Sequence, residues 1–225
     1  MKTLLFAFVL FISSCTSSCA TYSPEYEPNL PLNSYVKVVK HMSGIKMSSG
    51  SGTIIASKEE GAYILTAAHV CVSPNPFEQT SVKKLGGDSF EAQIIRLNIH
   101  LDMCMLLAPG MKGTPATVSF TPPVKGEQVF SISSPYGLED LDRHMVPIIR
   151  GTYSGKYQVD DSLTWDLYHL RIAPGSSGGM IVNRYGHVVG MTHRLFLLGR
   201  GAIPYYDLSV GVQHSELRDF VKSYL

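Results

Sequence analysis

The chain has 225 residues, 44% hydrophobic and 16% charged, enough for one domain of ordinary size or two packed halves. Its formal net charge is +1, which removes the electrostatic case for a nucleic-acid partner. Twenty Gly and thirteen Pro predict many turns.

Residues 1–19 read as an export signal. Lys2 supplies the positive start, and Leu4 to Ile12 is an unbroken apolar run. That run fits the ~7–15 residues of a signal core and falls short of the ~20 that span a bilayer. The stretch "ISSC", 12–15, has the form of a bacterial lipobox, which would make Cys15 the lipidated first residue of the mature protein. Ordinary cleavage near Ala20 is the alternative. The protein is therefore expected in the cell envelope through a membrane attachment at Cys15, or periplasmic or secreted. Residues 20–33 carry three prolines and read as an extended tether.

From Tyr35 onward, short runs rich in Val, Ile, Tyr and Thr alternate with turn residues. They include "YVKVVK", "GSGTIIAS", "AYILTAAHV", "EAQIIRL", "MCMLLA", "QVFSIS", "VPIIRGTYSG", "LTWDLYHLRI", "GMIVN" and "HVVGMTH". Such spacing predicts an all-β sandwich or barrel. The stretch "LFLLGRGAIPYY" is apolar for a connection and reads as a β-hairpin or an edge that touches membrane or partner. At the end, "SELRDFVKSYL" sets Leu217, Phe220, Val221 and Leu225 at helical spacing, with Ser215 as the expected N-cap. Cys71 and Cys104 are the cysteines of the chain's body. Export allows a disulfide between them, and two separate buried thiols is the plainer reading. No Cys/His spacing resembles a zinc site, so no metal and no cofactor are expected.

Three places carry chemistry. In "RIAPGSSGGMIV", Gly175, Ser177, Gly178 and Gly179 form G-x-S-G-G behind Pro174. Glycines beside a hydroxyl let the backbone take conformations closed to other residues and let a carbonyl approach main-chain N–H groups. In "YILTAAHV", small residues lead up to His69, leaving room for the imidazole. In "HLDMCMLLA", Asp102 precedes an apolar strand, where a buried carboxylate needs a partner such as a His N–H. Asp88 competes with it, but "GGDSF" reads as a turn. His100 reads as a loop residue. His169 and Arg171 alternate with Leu170 and Ile172 and so lie on the opposite strand face. His41, His144, His187 and His214 read as solvated.

Taken together, "GSGTIIAS", "ILTAAHV", "LDMCMLL", "SSPYGL", "APGSSGGMIV", "HVVGMT" and "SVGVQHSELRDFV" resemble the trypsin-like serine proteases, particularly their HtrA-type and glutamyl endopeptidase branches. The resemblance runs from about Gly50 to the end. It implies two six-stranded antiparallel β-barrels with a C-terminal helix, barrel 1 at about 34–120 and barrel 2 at about 127–225. Pro123 to Gly126 would lie near the crossover. It also implies a triad in which Ser177 attacks a peptide carbonyl, His69 moves the proton and Asp102 holds the imidazole. The N–H groups of Gly175 and Ser177 would form the oxyanion hole. The substrate would be a polypeptide.

The same resemblance puts the pocket for the residue before the scissile bond at Arg171, Thr192 and His193. Glutamyl endopeptidases set a His on this strand against an acidic side chain. Here His193 stands one position out of register, with Thr192 in its place, and such an offset reverses side-chain direction. "SSPYGL" replaces the usual Gly-Asn-Pro start. No PDZ-like domain is expected after the helix. The expected function is a serine endopeptidase. Its rivals are a catalytically weak, protease-like envelope lipoprotein that binds peptides or a partner, and a structural lipoprotein whose important part is the anchor.

Overall fold

The computed structural model describes residues 29–140, 146–198 and 203–225. The export signal, Cys15, the start of the tether and His144 lie outside them. No helix among the described residues is long and apolar enough to cross a membrane.

Seven strands make the first half: β1 (Tyr35–Met42), β2 (Ile45–Ser57), β3 (Gly61–Ala67), β4 (Gln79–Lys84), β5 (Ser89–Glu91), β6 (Gln93–Asn98) and β7 (Met103–Pro109). They lie in the order β5-β4-β1-β2-β3-β7-β6. The two edge strands, β5 and β6, are separated in sequence by Ala92 alone, whose N–H donates to Thr80 O at 2.9 Å. The sheet therefore curls back on itself. The sixth strand of the expected barrel is present as two pieces, because the chain bends at Ala92 and each piece pairs with a different neighbour.

The second half is a closed six-stranded barrel in the order β10-β13-β12-β11-β8-β9. Its strands are β8 (Gln128–Ile132), β9 (Ile148–Gln158), β10 (Thr164–His169), β11 (Met180–Asn183), β12 (Val188–Leu198) and β13 (Ile203–Val212). β12 and β13 pair as an antiparallel hairpin, the first of the two readings of "LFLLGRGAIPYY". The alternation read in "HLRI" holds: Leu170 and Ile172 are buried while His169 and Arg171 are exposed. One apolar core runs through both halves, from Val36, Ile64 and Met105 to Trp165, Met191 and Val212.

Among the described residues there are two short α-helices, α1 (Ala68–Cys71) and α2 (His214–Val221). In α2, Leu217, Phe220 and Val221 are buried as their spacing predicts, while Leu225 lies beyond the helix and is exposed. The expected Ser215 cap is not used. Gln213 stands at the N-cap, and the His214 N–H donates instead to Asp166 Oδ2 of β10 at 2.9 Å. Tyr153 OH donates to the other oxygen of Asp166 at 2.9 Å. His214, read as solvated, is buried with Nε2 against Ser119 O at 3.0 Å. A strand carboxylate thus replaces the helix's own serine, and tertiary packing decides where the helix starts. The helix also reaches the first half, where Arg96 of β6 donates to Phe220 O at 2.7 Å. The tether expected over 20–33 ends against the protein, since Leu30 and Leu32 pack on the core.

Cys71 and Cys104 are joined by a disulfide, so the reading of two separate thiols gives way. It ties α1 to β7 across a sequence separation of 33. Closing a loop of that size removes denatured-state entropy worth about 3–4 kcal/mol. The double variant Cys71→Ala/Cys104→Ala is expected to lose about that much unfolding free energy in urea. A loss near zero would mean that the cross-link constrains the folded and unfolded chains equally.

Candidate active site

The register of β3 and β7 brings the first two residues together. Ala67 pairs with Met103, so Asp102, just before β7, lies beside α1, which follows β3. Ala68 N–H donates to Asp102 O at 3.1 Å and locks the two chain turns to each other. Asp102 then grips His69 twice. Its Oδ1 accepts from the His69 backbone N–H at 2.8 Å, and its Oδ2 lies 2.7 Å from His69 Nδ1. Asp102 is 8% exposed and holds a positive φ of 49°, a conformation that non-glycine residues keep only when their surroundings impose it. Burial pushes its carboxyl upward. Hydrogen bonds from His193 and His69 outweigh that and hold it well below the usual carboxylate range.

Ser177 comes from the turn between β10 and β11. Gly178 has φ +85°, and a Cβ there would lie 2.2 Å from Ser51 O and from Thr66 Oγ1, so only glycine fits. Gly175 has φ +97°, and a Cβ would lie 2.4 Å from Ser134 O. The turn is pinned by Ser51 N–H donating to Ser177 O at 2.8 Å and Gly178 N–H donating to Thr192 O at 2.7 Å. Neither the Gly175 nor the Ser177 N–H has an acceptor among the described residues. Ser176, the residue at position x, is fully buried. The Ser177 hydroxyl donates to the His193 carbonyl at 3.0 Å and not to the imidazole of His69. A Cβ on Gly50 would lie 2.7 Å from Val70 Cγ2 and 3.0 Å from Ser177 O, so the residue after His69 and the serine turn both border Gly50.

The remaining candidates separate. Thr192 is buried in the barrel, with its hydroxyl 3.3 Å from Ser131 Oγ. Arg171 lies on the surface, paired with Asp207 at 2.8 Å. His193 is buried with its ring stacked on Trp165, centroids 4.6 Å apart and planes at 16°, and its Nδ1 against Asp102 Oδ2. Arg194 Nε donates to His193 Nε2. A cleft of about 330 Å³ opens here, lined by His69, Ile99, Asp102, His193 and Arg194. Asp88 is exposed in the turn between β4 and β5, and His100 is exposed ahead of β7.

The sequence reading missed Ser51, Trp165 and Arg194, and it did not foresee the contact of His193 with Asp102. The one available signal was that "THR" lies in the strand that passes the serine turn. Donor atoms of His69, Asp102 and His193 lie within 4.8 Å of one another, a set able to ligate a transition metal. In this structure those atoms are turned to one another, and the Arg194 guanidinium beside them opposes a cation.

The sequence profile of the trypsin-like peptidase domain matches residues 50–191. A probable periplasmic serine endoprotease DegP-like of Ectopseudomonas mendocina is 30% identical over 178 residues, 75% of this chain and 35% of that protein. Serine protease HTRA3 of Rattus norvegicus is 29% identical over 159 residues, 65% of this chain and 33% of that protein. The chain thus spans about a third of the length of these curated relatives. Two solved structures share the fold. The serine endoprotease from Yersinia pestis has a TM-score of 0.67 at 22% identity, covering 86% of this chain and 63% of that one. The active form of the Rv3671c protease from M. tuberculosis has a TM-score of 0.68 at 19% identity, covering 86% and 82%. A profile match over more than half of the residues, on this fold, makes the chain a member of the trypsin-like peptidase family.

Proposed function

We propose that the protein is an exported serine endopeptidase that hydrolyses polypeptides through Ser177, His69 and Asp102. The observation that carries this reading is the double grip of Asp102 on His69, through the backbone N–H and through Nδ1. That grip puts the His69 proton on Nδ1 and leaves Nε2 to accept one. Ser177 Oγ turns from the His193 carbonyl to His69, gives its proton to Nε2 and bonds to the substrate carbonyl carbon. The oxyanion that forms is met by the unengaged N–H groups of Gly175 and Ser177. His69 then protonates the leaving amine, the acyl-enzyme forms, and water releases it by the same path in reverse. The names of the relatives support an exported location and polypeptide substrates. The lipobox reading of Cys15 makes attachment to the envelope part of the same proposal.

A second reading, a protease-like binder, is favoured by the hydroxyl's bond to the His193 carbonyl in place of His69. A fluorophosphonate probe separates the two. The expected result is labelling of the folded full chain that disappears in Ser177→Ala, with kcat on a peptide library falling by about 10⁶-fold. Folded wild-type protein that stays unlabelled and cleaves nothing would favour the binder.

Asp102 also links the site to stability. Its folded-state carboxyl lies below its unfolded one, so its contribution is complete above about pH 4 and is lost as pH falls further. The stability gap between wild type and Asp102→Asn, measured by urea unfolding, is expected to be wide at about pH 7 and to narrow at about pH 3. The same variant should lose about 10⁴-fold in kcat, since the wrong tautomer of His69 is then held.

A further inference from the structure

The mechanism uses one side of the Asp102 carboxylate, and the structure places a second imidazole against it. His193 is 2% exposed and lies flat on Trp165, which fixes its ring plane. Arg194 Nε meets its Nε2, and the Arg194 guanidinium sits 5.7 Å over the same Trp165 ring. A guanidinium has only donors. Nε2 of His193 must therefore accept, and the imidazole proton resides on Nδ1. Nδ1 makes no hydrogen bond of regular geometry among the described residues, and the acceptor in close contact with it is Asp102 Oδ2. Burial lowers the His193 pKa against the pull of Asp102, which agrees with a neutral ring holding one proton.

We propose that His193 is a positioning residue for Asp102: its Nδ1–H donates to Oδ2, with Trp165 and Arg194 fixing its plane and tautomer. The inference rests on the hydrolytic reading above. The carboxylate needs such a holder. It carries a buried negative charge on a residue with positive φ, and both of its hydrogen bonds to His69 come from a single residue whose side chain is 49% exposed. A second donor from the barrel side stops the carboxylate from rotating away from His69. The positive charge of Arg194, placed at the far nitrogen, polarises the ring and strengthens that donor.

The test compares His193→Leu with His193→Asn in the full chain. The amide N–H of Asn reaches the place of Nδ1, whereas Leu fills the space and donates nothing. His193→Leu is expected to lower kcat about 10- to 100-fold, the range for loss of an outer partner of a functional group, with KM within about twofold. His193→Asn is expected to recover most of that loss. Equal losses in the two variants, or a loss carried by KM, would overturn the proposal. If Leu prevents folding, the Asn variant decides alone, because a 10-fold fall in its kcat also counts against the donor role. A separate readout needs no turnover. In ¹⁵N spectra of Ser177→Ala protein, the resonance that disappears in Ser177→Ala/His193→Asn should show a protonated Nδ1 and an accepting Nε2. The opposite tautomer would sink the inference even if hydrolysis is established, and the expected one would stand even if hydrolysis fails.

Discussion

The site depends on one buried serine that is not itself a candidate reagent. Ser51 of β2 is fully buried, and all of its polar atoms are hydrogen-bonded, its N–H and hydroxyl across the junction between the two halves. Its N–H holds Ser177 O at 2.8 Å, and its carbonyl accepts from Thr66 Oγ1 at 2.7 Å. Its hydroxyl donates to Gly175 O at 2.8 Å and accepts from Ser134 N–H at 2.9 Å. Thr66 stands three residues before His69 on the same chain run. One residue therefore joins the strand that leads to the imidazole and the turn that carries the nucleophile. An unmade hydrogen bond here would leave a buried polar group unsatisfied, at about 1–3 kcal/mol each. This explains why the turn is built from residues without side chains, since Gly178 lies where any Cβ would strike Ser51 or Thr66.

The second dependency is electrostatic. Asp102 is a charge placed out of water, tolerable only because two imidazoles and a backbone N–H converge on it. They come from two parts of the chain: the His69 ring and N–H from the first half, the His193 ring from the second. The disulfide runs parallel to this arrangement. Cys71 follows His69 by two residues and Cys104 follows Asp102 by two, so a covalent link repeats what the hydrogen bonds already specify. Redundancy of that kind agrees with the proposed export, which would take the bond away from a reducing pool.

How much of this could be read in the letters follows from the range of each interaction. Ser177 was legible because a tight turn around a hydroxyl needs glycines next to it, and those neighbours are local. His69 and Asp102 were legible from small residues ahead of an imidazole and a carboxylate at the mouth of an apolar strand. The strands were legible as short β-branched runs. The split of one strand at Ala92 was not, since nothing in "SFEAQII" marks a bend that its pairing partners impose. The start of α2 was misassigned because Asp166, remote in sequence, took the role expected of Ser215. His193 was placed on a pocket wall by register alone. Its real neighbours, Trp165 and Arg194, come together only when β10 and β12 lie in one closed barrel with β13 between them.

The framework narrows what separates the two functional readings. Backbone bonds fix the serine turn, Asp102 holds the His69 ring, and the Gly175 and Ser177 N–H groups, the proposed oxyanion donors, have no acceptor among the described residues. The Ser177 hydroxyl donates to the His193 carbonyl, and its direction is set by a single side-chain rotation. Rotations of partly exposed side chains occur in picoseconds to nanoseconds, far faster than a turnover on the order of milliseconds or longer. The hydrogen bond to the His193 carbonyl is a neutral one, with a net worth of about 1 kcal/mol, and the imidazole offers an acceptor in exchange. On the proposed reading, a binder and a hydrolase built on this chain share one fold, and the hydroxyl's observed direction weighs little against the hold of Asp102 on the His69 ring.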